Sequence, residues 1–374
     1  MAVFAGSWGF RPGPKGLQIF SFDPQTAEMT FVRTLHSEFA VGNQYLDAKR
    51  SILYITDESG LRRGDAVGGY VQAFRLDPKS VLTELNGRET LLPKPSYFCL
   101  DHTGAYALVS HHSNRGQVTK LVRRADGTFS SETVTDDAGL ALLSVREDGS
   151  LGEILDVVLT PGEDPFGPHA RSHQHCVAAS PDGELFLVCD KGLDRIYSFR
   201  LDREKGRLRL LHTTYTELGS APRYALFHPY TPVVYVNHEH QPVLYTYGYD
   251  IETGELNCVD ALPLCEAVET SMQPSVPVLH PNGRILYMSV RGTDLIGMFQ
   301  IDGGGLPHLE QTVSCGGQSP RGLCLSPDGR FLLCANLESQ TITRFAVEGD
   351  GTLTAVGEPV PTVLPGNLTI ASLV

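Results

Sequence analysis

The stretch VVYVNHEHQP, Val233 to Pro242, closes a β-rich run with three adjacent titratable groups, His238, Glu239 and His240. An imidazole beside a carboxylate can move protons, hold a metal ion or simply face solvent. A second stretch, HARSHQH, places His169, His173 and His175 close together. With His238 or His240 these would offer the imidazole donors that zinc or manganese takes. H-x3-H-x-H is not a specific metal signature, however, and the chemistry favoured below requires no metal and no other cofactor. No G-x-S-x-G elbow occurs, so a serine nucleophile has little support.

One pattern recurs along the chain: a polar turn, a β-rich run, a short polar loop and a second β-rich run. It begins at Ser180 (SPDGELFLVCDKGLDRIYSFRLD), His228, His280 and Ser326, at spacings of 48, 52 and 46 residues. Earlier copies start at Asp101 and, more loosely, at Ala48, and VFAGSW…KGLQIFSFD near the N-terminus is the first. Seven short-stranded units of roughly 40–50 residues predict an all-β, seven-bladed propeller with four-stranded blades around a central channel. It is read as a single domain over residues 1–374. The interval from Asp101 to Ser180 is too long for one blade, and Arg123 to Leu140 reads as an inserted hairpin in blade three. The terminal VLPGNLTIASLV is expected to close the ring with the N-terminal strands.

Blades stack around a channel, so equivalent positions form rings. The first such column lies five residues before each turn and holds Ser96, His175, Arg223, Ser275 and Arg321. The second lies just past the first β-run and holds Glu58, His112, Lys191, Glu239, Arg291 and Leu337. A polar member taken alone reads equally as a solvated channel-mouth residue. Together they predict a polar ring with excess positive charge, suited to a small anion. Alternation along the strand points Glu239 away from His238 and His240. His173 and His238 are counted with Lys191, Arg321, Glu58 and His112 as substrate-binding candidates.

The composition narrows the partners. A formal charge of −13, with no Lys/Arg cluster, disfavours nucleic acid, and no apolar run approaches the roughly 20 residues of a membrane span. The eight cysteines form no C-x-x-C pair, and several lie in apolar runs such as RGLCLSPDGRFLLCAN. That usage, and an N-terminal stretch unlike a signal peptide, lead to the expectation of a reducing cytoplasm.

At these residues the chain resembles the lactonase family of seven-bladed propellers, which includes bacterial 6-phosphogluconolactonases and the fungal carboxy-cis,cis-muconate cyclase. The resemblance covers nearly the whole chain and is carried by FAGSW…KGLQIFSFD, SHQHCVAASPDG, APRYALFHP with NHEH, HPNGRILYMSVRGTD and SPRGLCLSPDGRFLLCAN. It implies a catalytic quartet of His175, Arg223, Glu239 and Arg291. Cys176 and His238 depart from the residues usual at their places, as does SHHSN in blade three, which bears on the substrate more than on the fold. The function so implied is hydrolysis of an anionic sugar lactone, as by a 6-phosphogluconolactonase. In that scheme Glu239 activates water, His175 protonates the leaving oxygen, and the two arginines hold the anion. The alternatives are lactonising cyclisation of an unsaturated polycarboxylate and a non-enzymatic binding propeller, which would carry its partner on a rim patch.

Overall fold

The computed structural model describes residues 1–9, 16–59, 68–78, 81–113, 117–160, 171–264 and 271–372. The described residues contain strands, turns and bridges and no helix. Seven antiparallel sheets form the blades. Blade two runs outward through Val41–Asp47, Ile52–Asp57, Tyr70–Asp77 and Val81–Glu89. Blades four to seven repeat this order from innermost strands Gln174–Ala179, Pro222–Phe227, Gln273–Leu279 and Pro320–Leu325. Blade one is built from both ends of the chain: Pro365–Ala371 is its innermost strand and pairs with Ala2–Ser7. The expected closure of the ring by the C-terminal segment is thus what the structure shows.

The inserted hairpin is present, with different bounds. Its strands are Gln117–Arg123 and Phe129–Thr135, and they form a separate two-stranded sheet. Ala138–Val145, where the expected insertion ended, belongs to blade three and pairs with Tyr106–His111. The turn RRADG carried the signal, and its two flanking strands are too polar to stand out.

Each blade buries its faces against its neighbours, and seven apolar clusters occupy the seven seams. The seam that closes the ring joins Phe331 and Leu333 of blade seven to Val3, Phe20 and Ile370 of blade one. Burial is therefore divided among small cores, which is how a chain of this length avoids one oversized core. The PDG and PNG turns work through their glycines: Gly183, Gly283 and Gly329 have φ of 72°, 71° and 73°, a region costly for residues with a Cβ.

One irregularity recurs where it bears on function. In every blade the register between the innermost strand and the next slips near its start. The position that slips is the first column. Pro95 pairs with His111 and Tyr97 with Ser110, leaving Ser96 opposite no single partner, and the same holds for His175, Arg223 and Arg321. A β-bulge re-aims the side chain of its extra residue. The second column is fixed differently. Outside blade six, the amide of the second-column residue donates to the carbonyl two residues before the bulge position, as from Glu58 to Ala40 (2.8 Å), Glu239 to Ala221 (2.7 Å) and Lys191 to His173 (3.2 Å).

Candidate active site

A cavity of about 710 Å³ opens at this end of the propeller. Residues from all seven blades line it, among them Trp8, Glu58, His112, Lys191, Glu239, Arg291 and Arg321, so it lies on the axis. The lining also takes in Ser96, His173, His175 and His240. Such convergence of polar groups differs from the rim patch that a non-enzymatic binding propeller would carry.

The two columns extend to blades where the sequence comparison stopped. Trp8 follows the strand Ala2–Ser7 as Glu58 follows Ile52–Asp57, so it is the second-column member of blade one. Gly366 and Gly42 occupy the slipped first-column positions of blades one and two. In blades one and two the two columns compensate in size. A Cβ on Gly366 would lie 2.3 Å from Trp8 Cβ, and one on Gly42 would lie 2.2 Å from Glu58 Oε1. Trp8 and Glu58 thus occupy the space that glycine leaves at 366 and 42. Trp8, Lys94, Arg171 and Tyr224 also line the cavity and were not among the sequence candidates; His240, weighed in the sequence only as a metal donor, lines it as well. For Trp8 the signal existed: it is the single tryptophan of the chain, at a column position.

Glu239 is the centre of an ion cluster. Lys191 Nζ donates to its Oε2 (2.7 Å) and Arg291 Nη2 to its Oε1 (2.8 Å). Arg223 Nε stands 3.7 Å from Oε2. Burial would raise the Glu239 carboxyl, but Lys191, Arg223 and Arg291 outweigh it and hold the group well below the usual carboxylate range. A carboxylate so stabilised as an anion is a poor proton acceptor. The expected role of Glu239 in activating water is not supported by this geometry; it anchors two cations.

Arg223 is likewise displaced from its expected role. Its side chain is 1% exposed and lies behind Glu239, donating to Ser275 Oγ (3.1 Å) and stacking on Tyr224. It braces the cluster rather than meeting a ligand. Leu337 is buried. His238 was expected to meet substrate, but its ring is buried and stacked on Tyr245 at 4.3 Å. The reason is the strand period: the residue just before the second column faces into the blade, as do buried Asp57 and Asp190. His240, by contrast, reaches the cavity because the strand ends at His238 and the backbone turns.

The histidines gather on one wall. The His112 ring lies 5.2 Å from His173 and 5.5 Å from His175, whose edge meets Tyr224 at 4.8 Å. Burial, followed by Arg223 and Lys191, pushes His175 well below its ordinary value, and burial with Lys191 does the same for His112. A proton donor that is neutral at pH 7 cannot act as an imidazolium, which alters the expected role of His175. Among the described residues no three His, Cys, Asp or Glu side chains are grouped to hold a metal ion; His169 lies outside the described residues.

On the opposite wall, Trp8 Nε1 donates to Glu58 Oε2 (3.1 Å), and the Arg321 guanidinium lies 3.6 Å over the indole ring. Burial raises the Glu58 carboxyl to about 7, against the fields of Arg321 and Lys191 and the indole hydrogen bond. Burial and the neighbouring Arg223 and Arg291 lower Arg321 to about 9. The cavity thus concentrates cations that are costly to hold together without a further anion.

Residues 4–368 match the family described as Lactonase, 7-bladed beta-propeller, and the chain belongs to that family. It is 26% identical over 313 residues to the 6-phosphogluconolactonase of Bacillus subtilis, covering 82% of this chain and 81% of that protein. The 6-phosphogluconolactonase of Cronobacter sakazakii is 24% identical, with 92% and 91% covered. Among solved structures, the periplasmic gluconolactonase of Pseudomonas aeruginosa superposes with a TM-score of 0.84 at 24% identity, covering 100% of this chain and 99% of that one.

Proposed function

We propose that the protein is a lactonase whose substrate is an anionic sugar lactone, in the manner of its 6-phosphogluconolactonase relatives. The observation that carries this reading is the charge of the cavity. Lys191, Arg291 and Arg321 face it, while Glu239 already partners two of them. A phosphate or carboxylate on the substrate would complete the neutralisation, and Arg291 and Arg321 offer it planar, two-pronged donors. The same cations would stabilise the oxyanion that develops on the lactone carbonyl, in a site already ordered before the substrate arrives. A cavity of about 710 Å³ falls in the range usual for small-molecule sites, roughly 300–1,000 Å³.

Purified protein offered phosphorylated and unphosphorylated aldonolactones, with a pH indicator recording acid release above the spontaneous rate, tests this. Acid release from a phosphorylated or carboxylated lactone is expected. Turnover of a carboxymuconate, seen in its ultraviolet spectrum, with every lactone inert, would replace hydrolysis by cyclisation.

A further inference from the structure

With Glu239 committed to Lys191 and Arg291, another group of the cavity must take the proton from water. We propose that Glu58 fills this role, accepting the proton of the attacking water and returning it to the ring oxygen as that oxygen leaves; the proposal rests on the lactone reading above.

The geometry singles out Glu58. It lines the cavity, yet it is only 6% exposed. Its seat is made for a carboxylate: glycine at 42 leaves the space that a Cβ would fill, 2.2 Å from Oε1. Trp8 Nε1 fixes Oε2 at 3.1 Å, and among the described residues no cation pairs with the other oxygen as Lys191 and Arg291 pair with Glu239. The groups bearing on it come from the surrounding blades: Trp8 from blade one, Lys94 beside blade three, Lys191 from blade four and Arg321 from blade seven. Their fields partly offset the burial that raises its carboxyl to about 7. A base with that value is half ionised at neutral pH and keeps useful proton affinity.

The steps balance. Water gives a proton to the Glu58 carboxylate as its oxygen bonds to the acyl carbon, and the carbonyl electron pair moves onto the acyl oxygen beside the cations. The intermediate then collapses. The bond from acyl carbon to ring oxygen breaks, the ring oxygen keeps the pair, and it takes the proton from Glu58. Glu58 is restored as a carboxylate, and the new carboxylic acid ionises to solvent.

Ionised Glu58 is the active form, so kcat/KM should rise with pH through a midpoint near 7. Glu58→Gln keeps the volume and an acceptor for the indole hydrogen bond. It should lower kcat by roughly 10²- to 10⁴-fold and abolish that limb, with the thermal melt recorded alongside. Trp8→Phe removes a hydrogen bond that favours the ionised form, so its limb should move to higher pH. Glu239→Gln should keep the limb, because Glu58 is untouched. Should Glu58→Gln fail to fold, Glu58→Asp is decisive: a lowered kcat with the limb retained is expected. Wild-type kcat and an unchanged limb in either Glu58 variant, with wild-type protein hydrolysing a lactone, would overturn the proposal alone. Wild-type protein inert towards every lactone would overturn the functional reading on which it rests.

Discussion

At the scale of single residues, Glu58 and Glu239 differ in surroundings rather than in chemistry. One is desolvated beside an indole N–H, and the other is desolvated among three cations, so burial dominates the first and Coulomb attraction the second. Glu239→Gln would leave Lys191, Arg223 and Arg291 facing one another without their common anion. Breaking a buried ion cluster in this way costs on the order of 3 kcal/mol, and a thermal melt at pH 7 should show it as a clear drop. Because the folded-state value of Glu239 is depressed, its contribution is fully present above the ordinary 4.5 and is lost as pH falls through the folded value. The melting difference between wild type and variant should therefore narrow in acid; a difference independent of pH would contradict the ion-pair account. Which residues of the two columns are polar could be read in the sequence. Their roles could not, since those depend on distances across the channel between blades far apart in the chain.

At the scale of elements, the bulge beginning each innermost strand and the amide that fastens the end of the next strand convert a repeated blade into a ring of inward-facing side chains. Neither device has a sequence signature of its own. The columns were visible because the repeat was visible, whereas His238 was misplaced because it sits one residue from a column. Adjacent blades are also tied at their outer turns. Tyr54 donates to the Gly149 carbonyl at 2.7 Å, Tyr235 to Gly305 at 2.8 Å and Tyr287 to Gly351 at 2.6 Å, each reaching into the next blade. Each Tyr→Phe change removes one donor and leaves a carbonyl unpaired, at about 1 kcal/mol. The sites lie in different seams, so the losses should add. Melting of the three single variants and the triple variant checks this, and a triple variant no less stable than one single variant would show that these bonds do not tie the blades.

At the scale of the whole molecule, an acidic chain of net charge −13 encloses a cavity in which cations predominate. The propeller makes this possible by collecting one or two side chains from each of seven blades. Blade count, closure by the C-terminal strand and the polarity of the channel mouth were legible in the sequence, because each follows from a period or a composition. The Trp8–Glu58–Arg321 wall was not, because it joins blades one, two and seven, whose nearness follows only from ring closure. The central claim, hydrolysis of an anionic lactone in this cavity, is tested most directly by wild-type kcat/KM for one δ-lactone with and without a phosphate, from proton release at fixed pH and ionic strength. A charge-assisted contact contributes about 1.5–3 kcal/mol, so the phosphorylated lactone should be favoured by at least about tenfold. Equal or better turnover of the neutral lactone would contradict the assignment of Lys191, Arg291 and Arg321 to the substrate's anion.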